Sequence, residues 1–193
     1  MPVPRQMTEH RLEAPKGWPS PNAVDYAAPM SPAVLAAITG GVVYAGRCVH
    51  VNNNGQYELG VTGYQMPLFL FNNSDDPDVE NPGGDPATRP QVWVPIAPTG
   101  NMMALPSAGA YELATTEFDT TRTYNPNSSL YAPTGTTLAT SGVLTNVAGT
   151  AGTYPAETIV GVVSRGRTPA SARNSHGEHE LFFWPVYLPG HTH

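Results

Sequence analysis

The chain has 193 residues, enough for one sizeable domain or two small ones sharing a core. Charged residues make up 12% of it, the formal net charge is −6 and Lys16 is the only lysine, which excludes a basic nucleic-acid binder. The single cysteine, Cys48, excludes an intramolecular disulfide and a cysteine-based metal site, and no apolar run approaches the about 18 residues that span a bilayer.

An apolar fraction of 40% separates the chain from disordered sequences, despite 21 prolines and 19 glycines. It is poor in helix formers and rich in Thr, Val, Tyr, Gly and Pro, which predicts an all-β fold. So low a charge density leaves much of the surface neutral, and neutral surface suits contact with other protein. Met1 to Met7 lacks the apolar core of a signal peptide, so synthesis in the cytosol is expected. On that expectation the sequons at Asn72 and Asn127 stay unmodified.

Residues 1–32 read as an extended arm punctuated by Pro2, Pro4, Pro15, Pro19, Pro21, Pro29 and Pro32. Proline fixes φ and removes a donor, so the arm can be neither a helix nor a central strand. Trp18, Tyr26 and Met30 give it something to bury. It is either a solvated tail or a strap that orders on a neighbouring subunit. The remainder, 33–193, reads as a β-barrel or β-sandwich domain. Its one helix candidate is 33–38, capped by Ser31 with Pro32 at the first position.

Val49 and Val51 alternate with Cys48 and His50, and Tyr57, Leu59 and Val61 alternate with Gln56, Glu58 and Gly60. Between them stands Asn52-Asn53-Asn54-Gly55, and period-two alternation on both sides of Asn-Gly predicts a hairpin. The incoming strand is expected from about Val42. Met66–Phe71 is almost wholly apolar and predicts a strand buried on both faces. Residues 72–91 form a long polar loop, followed by strands near 92–96, 102–105 and 111–118. Short strands near 129–132 and 143–145, then 158–164 and 181–188, complete the set. Pro185 argues against a regular central strand in the last of these. One echo links the halves. Gly46–Val51, a turn and Leu59-Gly-Val resemble Ser129–Ala132, a turn and Gly142-Val-Leu-Thr followed by Val160-Gly-Val-Val, too loosely to define a repeat.

No catalytic pattern stands out. Asp75, Asp76, Asp78, Glu80 and Asp85 could offer oxygens to a hard cation, but Pro77 interrupts them, and a solvated or partner-facing loop is the expectation. His176, Glu178, His179 and Glu180 could bind zinc if a loop brought them together, but on a strand His176 and His179 would point to opposite faces, and a structural role is the expectation. Glu112, Glu117 and Asp119 could serve glycoside hydrolysis as a carboxylate pair, though three acids on one strand read more simply as surface. Gly161-Val-Val-Ser-Arg-Gly is one residue too long for a nucleophile elbow, which leaves Ser164 structural. No enzyme activity, cofactor or metal is therefore expected. Arg165, Arg167 and Arg173 make a small basic loop, solvated or docked on the 75–85 loop of a neighbouring copy.

Ala45-Gly-Arg-Cys-Val-His-Val with Asn54-Gly55, Leu59-Gly-Val-Thr-Gly and Pro67-Leu-Phe-Leu resembles, in style, the head decoration (cement) proteins of tailed bacteriophages. Tyr124–Ala132, Ser141–Thr145 and Ile159–Gly166 extend the likeness, which spans 40–165. The 72–91 loop and the apolar C-terminus depart from the simplest members. The resemblance implies a copy-rich virion protein on the capsid exterior, with the major capsid protein as partner. It implies self-association as a homotrimer rather than a homodimer, and no nucleic-acid or membrane partner. The interface would draw on Trp18, Tyr26 and Met30 of the arm, on Arg165 and Arg167, and on Phe182, Phe183, Trp184 and Tyr187, which fill either the core or a subunit contact. The competing readings are another virion part, in the tail or fibre base, and a carbohydrate-binding or glycan-degrading module.

Overall fold

The Asn-Gly hairpin organises one of two antiparallel sheets. In the computed structural model, β3 (Cys48–Val51) pairs with β4 (Tyr57–Leu59), with Val49 opposite Leu59 and Val51 opposite Tyr57. The turn differs from a two-residue Asn-Gly turn. The Gly55 N–H donates to the Asn52 carbonyl, the Asn52 N–H donates to the Gln56 carbonyl, and only Gly55 carries positive φ. This is a type I turn followed by a left-handed glycine, a common longer hairpin closure. The Asn52 side-chain oxygen accepts from the Asn54 and Gln56 amides and fixes the loop. The strand begins at Cys48 rather than near Val42, because Gly46 turns the chain at φ 90.

The structure describes residues 12–16, 26–37, 43–70, 102–106, 112–148, 158–166 and 180–188. The strand expected at 92–96, the acidic loop with Asp75, Asp76, Asp78, Glu80 and Asp85, and the histidine loop before Glu180 lie outside them.

Strands dominate, so the chain is all-β. The remaining elements are β1 (Leu12–Lys16), β2 (Tyr26–Ala28), α1 (Pro32–Ala37), β5 (Leu68–Leu70), β6 (Met102–Pro106), β7 (Glu112–Thr115), β8 (Ser129–Leu130), β9 (Ile159–Val163) and β10 (Leu181–Leu188). One sheet runs β1-β7-β10-β9-β8 and the other β2-β6-β5-β3-β4. Helix α1 forms as its cap predicts: the Val34 N–H donates to Ser31 Oγ at 3.4 Å.

Each sheet meets itself. Residues 29–31 continue β2 and run parallel to β4, with Met30 opposite Tyr57, so 26–31 joins the two edges of the second sheet. In the first sheet Leu144 lies parallel to Phe118 and Thr145 antiparallel to Tyr131, which links the end of β8 to the continuation of β7. Of the arm, 12–16 and 26–31 pair with this chain's own strands.

Two cores result. Val49, Tyr57, Leu59, Leu68 and Leu70 fill the second sheet's interior with Met30, and Val34 of α1 packs into it. Leu113, Leu130, Val163, Leu181 and Phe183 form the other core, into which the second sheet sends Cys48, Val61 and Phe69. Phe69 meets Phe183 at 5.1 Å and 58°, a tilted contact of the kind aromatic pairs prefer. Tyr124 ties the bend after β7 by its hydroxyl, which donates to the Asp119 carbonyl at 2.9 Å.

Pro185 lies in a strand that is central but not regular. Strand β10 is the middle strand of its sheet, between β7 and β9. Among the described residues β10 pairs with β7 from Leu181 to Phe183, Pro185 lies opposite Gly161 of β9, and a register shift follows before Leu188. Proline within a sheet is found at such irregularities.

Candidate functional site

The outward face of the first sheet gathers the polar and aromatic groups. Alternation along β10 sends Leu181 and Phe183 inward and leaves Phe182 half-buried and Trp184 39% exposed. Phe182 pairs with Ala114 of β7 and Trp184 with Val162 of β9, so all four share this face. Glu112, two residues before Ala114, is 1% exposed. Ser164 Oγ donates to its Oε1 at 2.6 Å, Arg165 Nε donates to the same oxygen at 3.0 Å, and Arg165 Nη2 holds Oε2. The guanidinium lies 4.2 Å from the centroid of the Phe182 ring. A fork bonded to a buried carboxylate and stacked on an aromatic ring has little freedom left.

A second arginine–carboxylate centre lies where the two sheets meet. Arg47 Nε donates to Glu117 Oε2 at 2.7 Å and its Nη1 donates to the Ser141 carbonyl at 3.2 Å, with both side chains almost fully buried. Beside it, Thr115 Oγ1 donates to the Gly46 carbonyl. Glu112 and Glu117 are thus not the surface acids that the sequence suggests. Each is buried because an arginine distant in sequence supplies the counter-charge. A carboxylate held by three donors, like Glu112, is a structural anchor.

The buried His50 is a further polar centre. Its Nδ1 lies 2.7 Å from the Gly60 carbonyl, which can only accept, so Nδ1 carries a proton. Nε2 faces the Gln65 amide nitrogen at 2.9 Å and Glu58 Oε2 at 3.6 Å. Alternation placed His50 on a strand face, but nothing in the sequence pointed to Gln65, which reaches it from a separate turn.

Of the residues expected at an interface, Met30 and Phe183 are core residues, at 1% and 0% exposure, and neither is open to a partner. Arg165 is paired with Glu112 within its own chain, and the acidic loop on which it was expected to dock lies outside the described residues. Phe182 and Trp184 lie together on the outward face. Tyr26 pairs with Ala104 through its backbone, and Tyr187 lies within β10. Trp18, Arg167 and Arg173 lie outside the described residues. Among the described residues no three His, Cys, Asp or Glu side chains group to hold a metal ion, and no helix is long and apolar enough to cross a membrane. No family model matches the chain, and no curated protein and no solved structure matches it either.

Proposed function

We propose that this protein works by contact rather than by catalysis, as a virion structural subunit that binds the outer surface of a tailed-phage capsid and adds contacts between capsomers. The observation that carries the reading is the outward face of the first sheet: Trp184 and Phe182 on rigid strands, beside an arginine locked over the ring. Trp, Phe and Arg are the residue types enriched in protein interfaces, and anchors held by strands lose little freedom on binding. The low charge density fits the same role. On a symmetric lattice many modest contacts act together, so a charge-poor body can be held firmly without one strong site.

A glycan-binding module would also use an exposed tryptophan, but a hydrolase would need free carboxylates beside it. Glu112 and Glu117 are both held by arginines. Electron microscopy of purified particles tests the reading directly. The expected result is density for this chain at regular positions on the head lattice, in hundreds of copies. Absence from the lattice, or a handful of copies at the tail, overturns it.

A further inference from the structure

The two sheets share one topology and one register. In the second sheet the first strand, 26–31, pairs with β6, β6 with β5, β5 with β3, β3 with β4, and β4 returns parallel to the first strand. In the first sheet 112–119 pairs with β10, β10 with β9, β9 with β8, β8 through Tyr131 with 143–145, and 143–145 returns parallel to 112–119. With β1 set aside, both are in chain order five strands joined in the same pattern.

The register agrees position by position. Cys48–Phe69 and Val49–Leu68 correspond to Ser129–Val162 and Leu130–Gly161. Leu68–Pro106 and Leu70–Ala104 correspond to Gly161–Pro185 and Val163–Phe183, which sets the two strand prolines at one position. Gly46 N–H to Leu70 O and Leu70 N–H to Arg47 O correspond to Asn127 N–H to Val163 O and Val163 N–H to Ser128 O. Gly46 stands at φ 90, and its counterpart Asn127, at φ 68, is the one non-glycine residue of positive φ among those described. Asparagine is among the residues that tolerate that conformation best. The closing ladders match as well: Tyr57 with Pro29 and Ser31 corresponds to Leu144 with Glu117 and Asp119. One added residue between Thr115 and Glu117 is the sole offset in the first strand.

Corresponding positions differ in what covers them. Cys48, His50 and Phe69 of the first unit point away from its own interior and are buried. The second unit covers this face at Cys48 and Phe69: Phe183 meets Phe69, the Cys48 N–H donates to the Gly142 carbonyl at 2.9 Å, and a Cβ on Gly142 would come within 2.6 Å of the Cys48 carbonyl oxygen, while His50 is bonded within its own unit to Gly60 and Gln65. Their counterparts in the second unit are Ser129, Tyr131 and Val162, all half-buried, with the 39% exposed Trp184 beside them.

We infer that the chain is two fused copies of one five-stranded unit, and that the Ser129–Val162–Trp184 face of the second unit docks on a second copy of the chain, as the same face of the first unit docks internally. The inference deepens the contact-making reading of this face and is independent of any capsid.

Sedimentation of the purified full-length chain over a dilution series tests it. The expected result is reversible association that Trp184→Asp weakens by roughly thirtyfold or more, the effect of losing an interface anchor. Ser129→Arg, on the same face of an edge strand, weakens it too, while Asn53→Lys at the hairpin turn of the first unit leaves it unchanged. Circular dichroism confirms that each variant is folded, and either of the two face variants suffices if the other is not. A chain that stays monomeric at every concentration overturns the inference, as does association that a folded face variant leaves intact. Failure to decorate capsids with self-association preserved would instead count against the proposed function alone.

Discussion

Gly60 and Gly55 provide a controlled test of how the two units are joined. Their backbones are nearly alike, at φ +77 and +73, so an alanine at either meets the same left-handed penalty of about 1–2 kcal/mol. Their surroundings differ. A Cβ on Gly55 meets nothing within 4 Å, whereas one on Gly60 would lie 2.0 Å from the Pro133 carbonyl oxygen. To reach the 3.4 Å of an ordinary contact the carbonyl must retreat by about 1.4 Å. That carbonyl accepts the Gly142 N–H, and the adjacent Ala132 carbonyl accepts the Val61 N–H. Losing or stretching both bonds adds about 1–3 kcal/mol. Gly60→Ala should therefore cost about 2–5 kcal/mol and Gly55→Ala about 1–2 kcal/mol. Urea unfolding followed by far-ultraviolet circular dichroism measures both, with the slope checked for two-state behaviour. Equal losses at the two sites would refute the close approach of Gly60 to Pro133, and with it the junction described here.

Four further outcomes are expected. Arg47→Met strands the Glu117 carboxylate in the interior and should cost about 3–5 kcal/mol in chemical denaturation, while Arg47→Met with Glu117→Leu recovers most of that loss. Burial pushes the Cys48 thiol far above its usual range despite an opposing backbone hydrogen bond at Leu68, so a thiol reagent should label it only at the rate of unfolding. Burial disfavours the ionised Asp119 carboxylate, but bonds from the Thr121 hydroxyl and amide and from Arg122 outweigh it and hold the pKa below the ordinary 3.8. A pKa lowered by folding contributes stability above the unfolded value and loses it as pH falls through the folded one, so Asp119→Asn should flatten the decline in melting temperature between about pH 5 and about pH 2. Met30→Ala should cost about 2–5 kcal/mol, the range of a core deletion, and a cost near zero would mean that 26–31 is not built into the sheet.

The legible features were local. The Asn-Gly hairpin, the Ser31-Pro32 helix start and the apolar Leu68–Leu70 strand each depend on neighbours in sequence, and each stands where the pattern puts it. The features that were not legible depend on distant partners. Glu112 and Glu117 look like surface acids because the arginines that neutralise them stand 53 and 70 residues away. Pro185 argues against a central strand, yet β10 is central because β7 and β9, distant in sequence, flank it. Arg165 looks free for a partner until Glu112 and Phe182 are brought beside it.

The internal echo was visible but too weak to interpret, and the reason is physical. What the two units keep in common is backbone pairing, which many side chains satisfy, and not side-chain identity. Core positions keep apolar character, as Val49 with Leu130 and Leu70 with Val163, and positions where the backbone restricts the residue keep a related chemistry: Gly46 with Asn127 at positive φ, and Pro106 with Pro185 at matching strand positions. The correspondence also changes the meaning of the N-terminal arm. Residues 26–31 stand to the first unit as 112–119 stand to the second, as its first strand. They cannot leave to strap a neighbour without opening the sheet they close. β1, by contrast, pairs with β7 of the other unit through Leu12–Thr115 and Glu13–Ala114. It ties the start of the chain across to the second unit, along the strand that carries Glu112. Any part of the arm that reaches a partner must therefore do so from between or before these two anchored strands.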